Sequence, residues 1–391
     1  MLIKYFTRVL YLLSILSVLL YTVGCTGSTN DGVGIATLDG TFTIVDTYSL
    51  DLPTDVAVNS WVQKVHLGTE PELYYLDKVS QKIYIFNLTE KVVVDTITFS
   101  RSGPNGVGEV YGFSVKSPDS IALASGPYAY SYVVDREGSV IDRINYVWPE
   151  EQLPDYVRLN SRYYKDFAFD ENKYFLVQRT PYKGARPAEV LHHPIVAYDP
   201  VAESGKLLPF SYPEDYWKSN KANFQTFNHD ADYLYYGLIG SHKLYRIDKK
   251  TYDVETVTAK SRFIDDIETM NDVLDASDAI LHGVSNGKYT ATFPDPFRKV
   301  IYRIVVLPPE DRMDIKSRIR ELRDAPDRLS IIVLDDKLNL LFEEELPART
   351  YFPHGIFVDK RGINIPKTHP TYLIEANNET TIQYDVFLPS Y

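Results

Sequence analysis

Five times in this chain an apolar, β-prone run ends in Asp or Asn, crosses a polar turn and resumes as a second apolar run: "IYIFNLTEKVVV", "SYVVDREGSVI", "IVAYDPVAESGKLL", "LYRIDKKTYDVETV" and "IIVLDDKLNLLF". Two β-prone runs around a turn former read as a hairpin. The turn residues Asn87, Asp135, Asp199, Asp248 and Asp335 are spaced 48, 64, 49 and 87 residues apart. Two of these spacings match the roughly 40–50-residue period of a four-stranded propeller blade, and the longer ones require insertions. Each unit also holds an earlier hairpin: "KVHLGTEPELYYLD", "GFSVKSPDSIALAS", "FAFDENKYFLVQ", "QTFNHDADYLYYGLIG" and "YTATFPDPFRKVIYRIVV". Each unit therefore has four strands, A to D from innermost to outermost.

A sixth unit, "GIFVDKRGINIPKTHPTYLIEANNETTIQYDVFL", has three strands, and "TFTIVDTYSL" from Thr41 to Leu50 supplies a fourth. Closure by a strand from the other end of the chain removes two exposed sheet edges. The sequence thus predicts an all-β fold, a six-bladed β-propeller over residues 41–391, with seven blades as the nearest alternative. Thirty-one Tyr and eighteen Phe suit sheets covered on both faces by neighbouring blades. Helical insertions are expected at Ile264 to Leu281, with Ile264, Ile267, Met270 and Leu274 on one stripe, and at Asp311 to Leu322.

The first residues read as a lipoprotein signal peptide over 1–24. Lys4 and Arg8 precede a fifteen-residue uncharged run from Val9 to Val23, followed by Gly24 and Cys25. The run is shorter than the roughly 20 residues that span a bilayer, and Cys25 stands where a lipid would be attached. Residues 25–40 then form a flexible tether. The expected location is the cell envelope, lipid-anchored at the outer membrane or its periplasmic face, with the membrane reached through the N-terminal lipid. Cys25 is the sole cysteine, so stability must come from burial without a disulfide. The formal charge is −12, and −14 once Lys4 and Arg8 are removed with the signal, which argues against nucleic acid as a partner.

Loop parity points to a binding side. In a propeller the A–B and C–D turns share one face, and the B–C and D–A connections share the other. Every long segment falls in the second class: 179–194, 307–328 and 366–380 as B–C, and 100–110, 147–163, 211–221 and 260–288 as D–A. Insertions presented by a rigid scaffold carry function in repeat folds. The candidate face comprises Trp148, Arg179, Tyr182, Arg186, His192, His193, Trp217 and His354, with Tyr156, Tyr163, Tyr164, Tyr212, Tyr216, Lys183 and Tyr351 nearby. Such amphipathic rings and cations suit a glycan, a peptide or an envelope protein.

Other features have plainer readings. "GPNGVG" at Gly103–Gly108 lacks the dinucleotide spacing and reads as a tight loop. None of the eight histidines shows a metal-ligand spacing, and no cofactor is expected. His192, His193 and His354 could approach the funnel mouth, which leaves a hydrolase or lyase there as the alternative to a non-catalytic binding protein. No G-x-S-x-G elbow is present, and Asp265, Asp266 and Glu268 read as N-terminal residues of the first helix. Arg303 alternates with Ile301 and Val305 and calls for a buried inter-blade ion pair, or else lines the funnel.

Three stretches in order, Gly103 to Gly108, Asp295 to Arg303 and Ser330 to Asp335, resemble the exported lipoproteins of Gram-negative bacteria grouped as domain of unknown function 4221. Phe297 stands where that family carries Tyr. The resemblance implies a propeller-like lipoprotein without an assigned activity, and no catalytic residue carries over from it.

Overall fold

A computed structural model describes residues 39–58, 63–125, 130–145, 168–170, 173–177, 193–213, 216, 224–267, 276–311, 315–378 and 380–391. Signal, lipidation and most of the tether, residues 1–38, lie outside the described residues. The described residues form six four-stranded antiparallel sheets. Blade 1 is β2 (Gln63–Leu67), β3 (Pro71–Asp77), β4 (Lys82–Asn87) and β5 (Val92–Thr98). Blade 2 is β6 (Val110–Ser117), β7 (Ser120–Ser125), β8 (Tyr130–Val134) and β9 (Val140–Asn145). Blade 3 is β10 (Ala168–Asp170), β11 (Lys173–Val177), β12 (Ile195–Asp199) and β13 (Ser204–Leu207). Blade 4 is β14 (Gln225–His229), β15 (Tyr233–Leu238), β16 (Lys243–Asp248) and β17 (Val254–Thr258). Blade 5 is β18 (Lys288–Asp295), β19 (Val300–Val306), β20 (Leu329–Asp335) and β21 (Leu340–Glu345).

Blade 6 closes the ring. Its order is β22 (Phe357–Val358), β23 (Ile363–Pro366), β24 (Thr381–Ser390) and then β1 (Thr41–Asp51), paired from Thr41↔Ser390 to Asp51↔Thr381. The fold is a six-bladed β-propeller whose first strand completes the last blade.

The repeated acidic turn has a local cause. The side chains of Asn87, Asp199, Asp248 and Asp335 each accept hydrogen bonds from two backbone N–H groups of the turn that follows, at 2.7–3.0 Å. Asp135 accepts one from Ser139 N. A short side-chain acceptor thus satisfies donors that the ladder cannot reach, which favours Asp and Asn there. The same device closes the A–B turn of blade 5. Asp295, 1 % exposed, accepts from Phe297 N and Arg298 N, pairs with the Arg298 guanidinium at 2.8 Å, and accepts from Tyr302 Oη at 2.9 Å. Arg298 also donates to the carbonyls of Asp359 and Lys360 in blade 6, so "PDPFRK" is an inter-blade clasp.

Between blades the sheets bury aromatic and aliphatic side chains. One such layer joins Phe42, Tyr302, Phe342, Tyr351 and Phe387 of blades 5 and 6 with their neighbours. The helices are shorter than the sequence suggests. α1 spans Ala276–Ser285, α2 Ile319–Asp324 and α3 Pro370–Glu375. Ile264 and Ile267 belong to no helix, because they anchor the connection against Tyr289, Val305 and Leu307 of blade 5. Asp265 and Asp266 therefore cap no helix start, and Glu268 lies outside the described residues.

Candidate functional site

Connection lengths follow the expected parity. No A–B or C–D turn is longer than 135–139 or 249–253, whereas the D–A connections include 146–167, 208–224 and 259–287, and the B–C connections include 178–194 and 307–328. One rim is compact and the other carries the long excursions.

The innermost strands surround a central cavity of about 350 Å³. Every blade contributes apolar side chains to its wall, among them Val65, Val115, Phe169, Phe227, Phe293 and Phe357. The compact-rim end is held by Lys249, 3 % exposed, whose Nζ donates to the carbonyls of Phe169 (2.9 Å) and Asp230 (2.5 Å) and approaches His229 Nδ1 at 3.3 Å. Burial lowers its pKa, while Asp230, Asp170 and Asp232 oppose that shift. His229 and Asp230 line the cavity here and are engaged in this brace.

At the loop-rich end the cavity is lined by Gln63, Lys64 and Gly355; His354 precedes Gly355 in the chain, and Lys288 is close enough to act on its ring. Tyr384 donates its hydroxyl to Gln63 Oε1, which leaves the amide N–H groups of Gln63 as donors at this end of the cavity. Gly355 has φ +81°, and a Cβ there would stand 2.8 Å from the Gln63 amide, so glycine is what permits this approach. His354 is 6 % exposed and packs against the Phe352 ring. Burial, reinforced by Lys78 and Lys288, pushes its pKa well below the ordinary value, so it is neutral. Burial likewise lowers the Lys288 ammonium.

The candidate residues are not all at this mouth. His193 opens the third strand of blade 3, with Nδ1 2.9 Å from Leu208 O and 3.0 Å from Phe210 O beyond the outermost strand. It is therefore remote from His354 in the blade plan. Trp148, Arg179, Tyr182, Arg186, His192 and Trp217 lie outside the described residues, as do Tyr156, Tyr163, Tyr164 and Lys183. Three tyrosines expected on the face are turned inward: Tyr212, Tyr216 and Tyr351 are buried. Tyr351 donates to Asp385 Oδ2 at 2.6 Å, and Tyr212 accepts from Gln225 Nε2 at 2.9 Å. Their hydroxyls are satisfied in the core, which allows full burial.

Arg303 corrects another expectation. It is 1 % exposed and faces blade 4, yet its guanidinium forms no ion pair with a carboxylate among the described residues. It donates instead to the carbonyls of Ser241, His242, Lys243 and Ala259 and lies 3.5 Å from the Tyr289 ring centroid. A planar fork of five donors suits such a cage. Beside it Glu343 accepts from Ser261 Oγ (2.7 Å), Ser330 Oγ (2.5 Å) and Arg262 N (2.6 Å), and burial raises its pKa. These groups root the 259–287 connection between blades 4 and 5.

The Gly103–Gly108 segment is a tight D–A loop, closed by Gly106 N to Gly103 O at 2.9 Å. Among the described residues no group of three or more His, Cys, Asp or Glu could hold a metal ion. Gln63 and Lys288 escaped the sequence reading, since each looks like an ordinary polar strand start.

Comparison with known proteins agrees with the fold. The chain resembles a crystal structure of a DUF4221 family member from Bacteroides vulgatus, at 18% identity and TM-score 0.76, covering 90% of this chain and 98% of that one. It also resembles a protein from Bacteroides fragilis described as exported, at 11% identity and TM-score 0.54, covering 92% and 98% of the two chains. None of the curated proteins matches the chain in sequence. The profile of a domain of unknown function matches residues 40–345, the greater part of the chain, and the chain therefore belongs to the DUF4221 family.

Proposed function

We propose that this chain is an envelope lipoprotein, lipidated at Cys25, that works as a non-catalytic binding propeller. Its ligand, a glycan, a peptide or a partner protein, is taken at the loop-rich rim. The observation that carries this reading is the gathering of every long connection at one rim of a rigid ring. Trp148, Arg179, Tyr182, Arg186, His192 and Trp217 fall within those connections. Export is supported by the charged, apolar and Gly24–Cys25 order of the N-terminus, and the similar B. fragilis protein is described as exported. A funnel hydrolase or lyase would need a base paired with a carboxylate. Among the described residues the charged groups acting on His354 are Lys78 and Lys288, both cations.

The test is a pull-down from envelope extracts with the mature domain, repeated with Trp148→Ala and Trp217→Ala. Reduced capture by the variants is expected, and equal capture removes those rings from the site. Cys25→Ser should move the full chain from the membrane fraction to the soluble exported fraction; retention in the membrane would contradict lipid anchoring.

A further inference from the structure

One charge at the loop-rich mouth is left unanswered by the fold. Lys288 stands directly opposite Val306 in the β18–β19 ladder, so the two side chains share a sheet face. Val306 packs in the layer with Ile356 and Val358 of blade 6. Lys288 therefore leaves blade 5 toward blade 6, where His354 and Gly355 lead into β22. Its electrostatic effect on the His354 ring agrees with this placement.

Among the described residues the other buried or half-buried cations are bonded. Arg303 has four carbonyls, Lys249 has carbonyls from two blades, and Lys367 pairs with Asp385 at 2.9 Å. Lys288 forms no hydrogen bond or ion pair with any described residue, and no described carboxylate acts on it. Gln63 lines the same end of the cavity beside Gly355, and with its oxygen engaged by Tyr384 its amide keeps N–H donors. In a chain of net charge −12, Lys288 thus stands beside the end of the cavity with no acid paired to it among the described residues. A partly dehydrated ammonium without an anion is unfavourable, and a bound anion reverses that.

We propose that this mouth binds the carboxylate of a small ligand, with Lys288 as its counter-charge and Gln63 as a second donor, while the ligand's apolar body enters the phenylalanine-lined cavity. The cavity volume, about 350 Å³, lies in the range of small-molecule sites, roughly 300–1,000 Å³. The proposal rests on the reading that the loop-rich rim is the binding side, and names the chemistry recognised there.

Calorimetry and thermal melts of the mature domain with benzoate, benzamide and phenyl phosphate test it, on wild type, Lys288→Met and Lys288→Arg. Benzoate should bind and raise the melting midpoint, and benzamide should not. Lys288→Met should weaken benzoate at least tenfold while keeping or raising the ligand-free midpoint, because it removes an unpaired charge; Lys288→Arg should retain binding. Absence of benzoate binding, equal binding of benzoate and benzamide, or undiminished binding to Lys288→Met would overturn the proposal. Phenyl phosphate bound in place of benzoate would overturn the carboxylate assignment. Should Lys288→Met fail to fold, the benzoate–benzamide contrast on the wild type and the Lys288→Arg variant decide. N-acetylphenylalanine against glucuronate then separates a peptide terminus from an acidic sugar, and Lys288-dependent binding of either one supports the site. The two readings fail separately. A domain that captures nothing from extracts but binds benzoate through Lys288 removes the macromolecular reading alone, and intact capture with indifference to benzoate removes the carboxylate site alone.

Discussion

Arg303 is a cation whose neighbours are four backbone carbonyls and an aromatic face, and burial pushes its pKa down to about 10. Arg303→Met would leave those carbonyls without their donor, at a cost of about 3 kcal/mol in urea unfolding, with Arg303→Lys losing less. A change below about 0.5 kcal/mol for the methionine variant would contradict the cage. The histidines set a pH dependence. Burial lowers the pKa of both His354 and His369 below the usual 6.5. The unfolded chain therefore takes up protons near pH 6.5 that the folded chain refuses, and their contribution to stability is full above that pH and lost as pH falls below it. The melting midpoint should drop between pH 7 and 5, and His354→Gln should flatten part of that slope; an unchanged slope would contradict a buried neutral imidazole. The oddity of Arg303 was legible in its alternation with Ile301 and Val305. Its partners were not, because they are backbone atoms of another blade and carry no sequence signature. Lys288 was illegible for a related reason: what is unusual is the lack of a partner, a property of the assembled ring.

The turns were the most legible elements. Asn87, Asp135, Asp199, Asp248 and Asp335 do locally, through side-chain acceptance of turn N–H groups, what their residue types suggest. Gly138, in the same class of turn, has φ +83° and would place a Cβ 2.4 Å from Thr98 O. Gly138→Ala should cost about 1–3 kcal/mol by chemical denaturation without altering the ring; a neutral result would show that the turn relaxes. Helical insertions were poorly legible. The stripe of Ile264 and Ile267 has helical spacing, yet both side chains serve as anchors on blade 5, and a short apolar period does not distinguish these cases. Tyr212, Tyr216 and Tyr351 are a similar case, since loop position suggests exposure while their side chains are buried in the core, with the Tyr212 and Tyr351 hydroxyls bonded there.

At the scale of the whole molecule, blade number, closure by Thr41–Asp51 and the segregation of long connections all followed from the spacing of hairpins. These were readable because each blade repeats the same local grammar, whereas the proposed site draws on residues far apart in sequence: Gln63, Lys288 and His354. Deleting residues 41–51 would expose the full edge of β24, and such edges pair with other chains. The truncated protein should therefore elute as oligomers or aggregate in light scattering, and a stable monomer with an unchanged melting midpoint would contradict closure as a source of stability. The central claim, that binding belongs to the loop-rich rim, is tested most directly by blocking each rim in turn. Single cysteines placed at exposed Glu310 on the loop-rich side and exposed Lys250 on the compact side, in a mature domain carrying Cys25→Ser, are coupled to a bulky maleimide before capture from envelope extracts. Loss of capture with the Glu310→Cys adduct and full capture with the Lys250→Cys adduct is the expected result; the reverse pattern would contradict it.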